Sequence, residues 1–248
     1  TGRFEGAEYC YGFDNDVYVD WMKQHLSAQR PIQSGQRILD AGCGSGEKTS
    51  IMARMCPDQH VVGMDLGIGS LEQAAANFGD QENLDYVQGN ILSPPFKTAS
   101  FDWGVSIGML HHTPDTRRAF AEFRRLLVAD AALMIWIYPT YLEGREWRVP
   151  YFIRDVVFLR QGHRLPPSLL RLCSYGVVLG MLPFAEFLWW FHGQRMNEGM
   201  PFFKTQGMNF RQRVGAQVFH LFDTLLPQYQ FRHTIKEVDG WFVEEGLE

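Results

Sequence analysis

From Arg37 to Tyr138, short apolar runs rich in β-branched residues alternate with stretches whose apolar positions recur every three or four residues, a rhythm that predicts parallel strands joined by crossover helices. Strands are expected at Arg37 to Ala41, His60 to Asp65, Leu84 to Asn90, Phe101 to Ile107 and Ala132 to Tyr138. Between them, Glu47 to Cys56 sets Ile51, Met52 and Met55 on one helical face. Leu71 to Phe78 is introduced by a Ser70/Gln73 capping box and stopped by Gly79. The stretch after Pro114 spaces Phe120, Phe123, Leu126 and Leu127 as a helix would. The expected fold class is α/β, a doubly wound, mostly parallel sheet with a helical insertion after strand 5.

Outside this region the rhythm changes. Residues 1–36 read as an N-terminal helical cap centred on Val17 to Leu26, before the 37–138 core. Residues 139–230 show no strand alternation and no repeat, and are rich in aromatics, Arg and Pro, so they read as a helical lid or insertion. Residues 231–248 read as a terminal core helix, with a Thr234/Glu237 capping box, Ile235, Val238, Trp241 and Phe242 inward, and Gly246 at its stop. The most apolar run, 176–191, has Pro183 and Glu186 inside it and is too short to cross a bilayer comfortably, so a lid helix or an interfacial helix is expected.

With 46% apolar and 21% charged residues over 248 positions, the chain can bury a real core, and disordered or coiled-coil readings fall away. Cys10, Cys43, Cys56 and Cys173 are dispersed, which predicts neither a zinc site nor a disulfide framework but a reducing, cytoplasmic setting with no metal. The net charge of −5 gives no reason to expect nucleic acid. Ten Lys/Arg against five Asp/Glu fall between Pro139 and Gly215, so the insertion is basic while the remainder is acidic.

The candidate chemistry lies in the turn after the first strand, Asp40-Ala41-Gly42-Cys43-Gly44-Ser45-Gly46. In an open parallel sheet, ligands sit beyond the carboxyl ends of the strands, and alternate glycines let the backbone approach them closely. A phosphate-binding loop needs G-x-x-x-x-G-K-[ST]; Gly42 to Thr49 comes near, but Glu47 holds the last glycine position and would repel phosphate. The dinucleotide fingerprint G-x-G-x-x-G fails at the same residue. An acid followed by G-x-G-x-G fits without substitution.

There the sequence resembles the class I S-adenosylmethionine-dependent methyltransferases, in their small-molecule and quinone-type subgroup, through Ile38 to Gly46, FDWGVSIGMLHHTPD and the following FAEFRRLL. The resemblance covers about 37–138 plus the terminal helix and implies a Rossmann-like methyltransferase fold with S-adenosyl-L-methionine as cofactor. That cofactor carries a sulfonium and an ammonium and no phosphate, so a nearby carboxylate is favourable. Asp40, Gly42, Cys43, Gly44 and Gly46 are expected to form and order the cofactor loop. Asp65, 19 residues beyond Gly46, is expected to accept from the ribose hydroxyls. Asn90 stands where the family commonly has an Asp against the adenine amino group, and its amide oxygen can still accept that bond. Leu66, Ile91 and Ile107 complete the expected cofactor-binding set. Where the family turns through a Pro-Gly-Gly-like sequence into the fifth strand, this chain has Ala129-Asp130-Ala131, which predicts a different turn there.

His111 and His112 leave the fourth strand at its ligand end and are the expected catalytic residues, as general base for an acceptor; the alternative is that one packs on the cofactor and the other bonds backbone. Cys43 reads as a small loop residue and Asp102 as structural. Phe187, Trp189, Trp190 and Phe191 read as lid core, and Arg145, Arg148, Arg154, Arg160, Arg164 and Arg171 as a solvated face or a basic surface for an anion or lipid headgroup. His192, His220 and His233 are weaker catalytic candidates.

The expected activity is methyl transfer to a small or medium, apolar acceptor. Two alternatives stand beside it: a membrane-surface enzyme using 176–191 for peripheral contact with a quinone or lipid, and a catalytically inactive adenosyl-binding module. The resembled fold adds two further strands after the terminal helix, so a carboxyl-terminal piece beyond Glu248, or another segment over the sheet edge, is expected. An uncovered edge predicts a homodimer.

Overall fold

A computed structural model describes residues 33–140, 161–192 and 210–247, with side chains omitted for 182–192 and a few positions of 210–220. The expected N-terminal helix and the arginines from Arg145 to Arg160 lie outside the described residues, as do the side chains of Phe187, Trp189, Trp190, Phe191, His192 and His220. The chain divides into two compact units, residues 15–139 with 229–248, and residues 1–14 with 140–228.

The first unit is built on five strands: β1 Arg37–Ala41, β2 His60–Asp65, β3 Leu84–Gln88, β4 Phe101–Ile107 and β5 Leu127–Trp136. They pair in parallel in the order β3-β2-β1-β4-β5. This is a doubly wound, Rossmann-like sheet, and its strand order reverses at β1. The helices are α1 Glu47–Met55, α2 Ile68–Phe78, α3 Thr116–Arg125 and, after the second unit, α6 Ile235–Glu244. Alternation along the strands sends side chains to two cores. Ile38, Val61, Trp103 and Val105 pack with Ile51 and Met52 of α1 on one face. Leu39, Val62 and Met64 pack with Phe120 and Phe123 of α3 and Trp241 of α6 on the other.

Four details depart from the sequence expectation. β5 begins at Leu127, and Ala129, Asp130 and Ala131 run inside it as an irregularity in the β4 pairing. The Arg124 guanidinium donates to the carbonyls of Leu127, Val128 and Ala129, which meets acceptors that the broken ladder leaves open. α2 starts at Ile68, a turn before the expected Ser70 cap, because the Gly67 amide is drawn to Asp65 Oδ1 at 2.8 Å. β3 stops at Gln88, and Asn90 folds back in a turn, its Oδ1 accepting the Leu92 amide at 2.9 Å. Ile235, expected inward, is 65% exposed, while Trp241 of the same helix is buried.

In the second unit, α4 Pro167–His192 and α5 Phe210–Leu225 pack through Leu170, Val178, Val214, Val218, Leu221 and Leu225. The apolar 176–191 run is part of α4. No helix among the described residues is long and apolar enough to cross a membrane.

Candidate functional site

Gly42, Gly44 and Gly46 all have positive φ, at 88°, 54° and 78°. The Gly42 and Cys43 amides both donate to the Met64 carbonyl at the end of β2, at 2.7 and 3.1 Å, which ties the turn to the neighbouring strand. A Cβ on Gly42 would lie 2.4 Å from that of Met109, whereas one on Gly44 would meet nothing within 4 Å. Gly44 is therefore the open face of the turn. Its amide donates to Asp65 Oδ2 at 2.9 Å, so the acid closing β2 stands at the mouth of the glycine loop.

Asp40 lies behind the loop, buried, with the Thr49 hydroxyl donating to Oδ2 at 2.6 Å. Burial pushes its pKa up to about 6, while the Thr49 hydrogen bond and the Lys48 charge pull the other way. Lys48 is in turn pulled down by burial, with Asp40 and Glu47 opposing. These contacts disfavour a phosphate reading on new grounds. The Gly44 amide faces a carboxylate that would repel phosphate.

Cys43 has its thiol pushed far up by burial and by Asp40 and Asp65, so it is no thiolate nucleophile. Asp102 accepts the Arg37 amide at 2.9 Å at the opposite end of the sheet, a structural contact. Leu66 is exposed beside Asp65, Asn90 is exposed with one lone pair taken by Leu92, Ile91 is buried, and Ile107 is half-buried at the end of β4. The Ser106 hydroxyl donates to the Ala41 carbonyl at 2.8 Å, holding β4 to β1 past the last paired residues.

The His pair occupies a short 3-10 turn, Leu110–His112, just past β4. The rings lie 4.2 Å apart, and His111 also packs at 4.0 Å on Tyr138. His112 Nδ1 is 2.9 Å from the Tyr229 carbonyl, which can only accept, so that nitrogen carries the proton. His111 is fully buried with neither ring nitrogen hydrogen-bonded. Burial first, then the charges of His112, His233 and Arg232, push its pKa well below the imidazole range, so the ring is neutral.

Sequence reasoning ranked His233 low. Its amide donates to the Tyr138 carbonyl at 3.1 Å, and the Phe231 amide to the His111 carbonyl at 2.9 Å. Residues 229–233 thus run along the exits of β4 and β5. The capping pattern at Thr234 was legible, since its hydroxyl accepts the Glu237 amide at 3.1 Å. The Glu237 carboxylate, however, takes His233 Nδ1 at 2.9 Å.

Residues 39–135 match the methyltransferase domain family. A demethylmenaquinone methyltransferase of Listeria welshimeri is 31% identical over 115 residues, 45% of this chain and 48% of that protein. A malonyl-[acyl-carrier protein] O-methyltransferase of Legionella pneumophila is 32% identical over 40% of this chain and 35% of its own. An O-methyltransferase of Aspergillus nomiae is 32% identical over 48% and 54%. The chain spans about a third to a half of the length of these curated relatives. Together with the five-stranded parallel sheet and its glycine turn, these matches mean that the chain carries, over residues 39–135, a class I methyltransferase domain of the S-adenosylmethionine-dependent kind.

Proposed function

We propose that this protein transfers a methyl group from S-adenosylmethionine to a small-molecule acceptor. The observation that carries the reading is the Asp65 carboxylate on the Gly44 amide, an acid placed at the one open face of the loop. Asp65 would take the ribose hydroxyls, with Asn90, Leu66, Ile91 and Ile107 about the adenine and Gly42 to Gly46 against the amino-acid portion. Asp40 orders the loop through Thr49 and supplies negative potential toward the ammonium. When bound, this cofactor supplies an electrophilic methyl on a sulfonium.

The remaining work falls to the protein. It must hold the acceptor in line and keep water out, and the buried aromatic surroundings of His111 suit both. His111 and His112 stand on the acceptor side, His111 as a neutral hydrogen-bonding ring and His112 with its orientation set by Tyr229. The names of the relatives favour an acceptor that presents an enolic, phenolic or carboxylic oxygen, or the carbon beside one.

Calorimetry tests the first step. S-adenosylmethionine and S-adenosylhomocysteine should bind with micromolar affinity, and NAD and ATP should not. Methyl transfer from labelled cofactor is then followed across a panel of phenols, hydroxyquinones and carboxylic thioesters. Binding without transfer to any of them supports the inactive module, and binding of ATP in place of the cofactor sinks the reading.

A second reading, action at a membrane surface, is favoured by Leu169, Leu172 and Leu179, all exposed on α4. Co-sedimentation with anionic vesicles that is lost when Trp189 and Trp190 are made polar would support it.

A further inference from the structure

Beyond β4 and β5, outside the glycine loop, lies a group of buried polar atoms without partners. Both ring nitrogens of His111, both amide atoms of Gln230 and Nε2 of His233 are buried without a hydrogen-bond partner. A folded chain rarely tolerates several such atoms together, because each forfeits its hydration for nothing. Gln230 is fixed between Tyr229, whose carbonyl engages His112, and Phe231, whose amide engages His111. His233 is fixed by its amide on the Tyr138 carbonyl and by its ring against Trp241 at 4.8 Å. His111 and His233, whose charge acts on His111, therefore belong to one rigid patch at the carboxyl end of the sheet, where ligands of such sheets react.

Within that patch His233 differs from the other two histidines. Its Nδ1 faces the Glu237 carboxylate at 2.9 Å, and a carboxylate can only accept, so Nδ1 carries the hydrogen. Nε2 is left with its lone pair, buried and unpaired. A histidine oriented by a carboxylate, with the far nitrogen directed at a reactant, is the arrangement that makes imidazole an effective base, since the carboxylate stabilises the imidazolium that forms. His111, with neither ring nitrogen hydrogen-bonded, lacks that support.

We propose that His233, oriented by Glu237, takes the proton from the methyl acceptor, a small molecule with a phenolic or enolic hydroxyl. The O–H bond breaks, its electron pair stays on the acceptor oxygen, and the proton forms the Nε2–H bond of an imidazolium paired with the Glu237 carboxylate. The inference rests on the methyl-transfer reading and assigns the base within it. Glu237, in the first turn of the following helix α6, faces His233, and His233 and Arg232 both act on His111.

Two measurements on the whole chain need no turnover. With S-adenosylhomocysteine present, 4-nitrophenol is titrated against wild type, His233→Phe and Glu237→Gln, and bound phenolate is read from its yellow absorption. Wild type should give a saturable signal, His233→Phe should weaken binding at least about tenfold, and Glu237→Gln should weaken it by less. Ring nitrogen NMR should find His233 as the Nδ1–H tautomer at neutral pH, and as a mixture in Glu237→Gln. The proposal falls if wild type gives no phenolate signal, if His233→Phe gives the same one, or if the ring is the Nε2–H tautomer. Should His233→Phe fail to fold, wild-type phenolate binding by Glu237→Gln overturns it instead. Calorimetry with S-adenosylhomocysteine on wild type separates the two levels. No binding there sinks the methyl-transfer reading itself, whereas binding without a phenolate signal sinks only the base.

Discussion

Asp65 and Gly44 meet through a 2.9 Å hydrogen bond from the glycine amide to Oδ2, while Oδ1 takes the Gly67 amide at 2.8 Å. One carboxylate thus fixes the glycine loop, starts α2 and keeps lone pairs for a ligand. Asp65→Ala removes all three functions and leaves two amides short of an acceptor. Affinity for S-adenosylmethionine should fall about 10- to 100-fold, or about 1.4–3 kcal/mol, by calorimetry. A change under about threefold would place the ribose elsewhere.

Asp40 gives the site a pH dependence of calculable sign. Its folded pKa, raised to about 6 mainly by burial, exceeds the ordinary value of 3.8, so the folded state keeps the proton longer than the unfolded chain does. Its contribution to stability is present at low pH and is lost as pH rises through about 6, by at most about 3 kcal/mol. Urea unfolding of Asp40→Asn should show greater stability than wild type near neutrality and no advantage below about pH 4. A cationic ligand favours the ionised acid, so cofactor binding should tighten as pH rises through about 6, and that step should vanish in Asp40→Asn.

The two ends of the glycine turn should separate folding from binding. At Gly42 a methyl would strike Met109, so Gly42→Ala should lose several kcal/mol, seen as a large fall in Tm. At Gly44 the space is open and only the positive φ of 54° opposes alanine, at about 1–2 kcal/mol. Gly44→Ala should therefore fold and yet bind S-adenosylhomocysteine at least about tenfold more weakly, because its methyl occupies the ligand's approach. Undiminished affinity would mean that the ligand does not lie on this face.

Much of this architecture was legible because the relevant signals are local. The β1, β2 and β4 boundaries follow from apolar periodicity, and the Asp40 to Gly46 turn from its residue types. What escaped depended on partners distant in sequence or on rotamer choice. Ala129 to Ala131 lacks glycine and reads as a weak turn, yet the Arg124 guanidinium accommodates it as an irregular strand start. Ser70 looks like a helix cap, but the Asp65 carboxylate had already turned the chain at Gly67. Glu237 reads as half of a capping box, but in the fold its carboxylate turns to His233.

His111 offers the sharpest division between a packed residue and a working one. As plain core, a fully buried imidazole without a hydrogen bond costs stability, because its nitrogens lose hydration and gain no partner. Leucine has a similar volume and nothing to desolvate, so His111→Leu should hold or raise Tm by a few degrees, about 1 kcal/mol. Cofactor affinity should stay within about twofold, since the Asp65 and Gly44 contacts are untouched. If the neutral ring hydrogen-bonds the acceptor, methyl transfer to whichever compound of the panel serves wild type should nonetheless drop at least about tenfold, mostly as a higher KM for that compound. A stabilised variant with full activity would make His111 a filler, and a strongly destabilised one would mean that its nitrogens are satisfied in the folded protein after all.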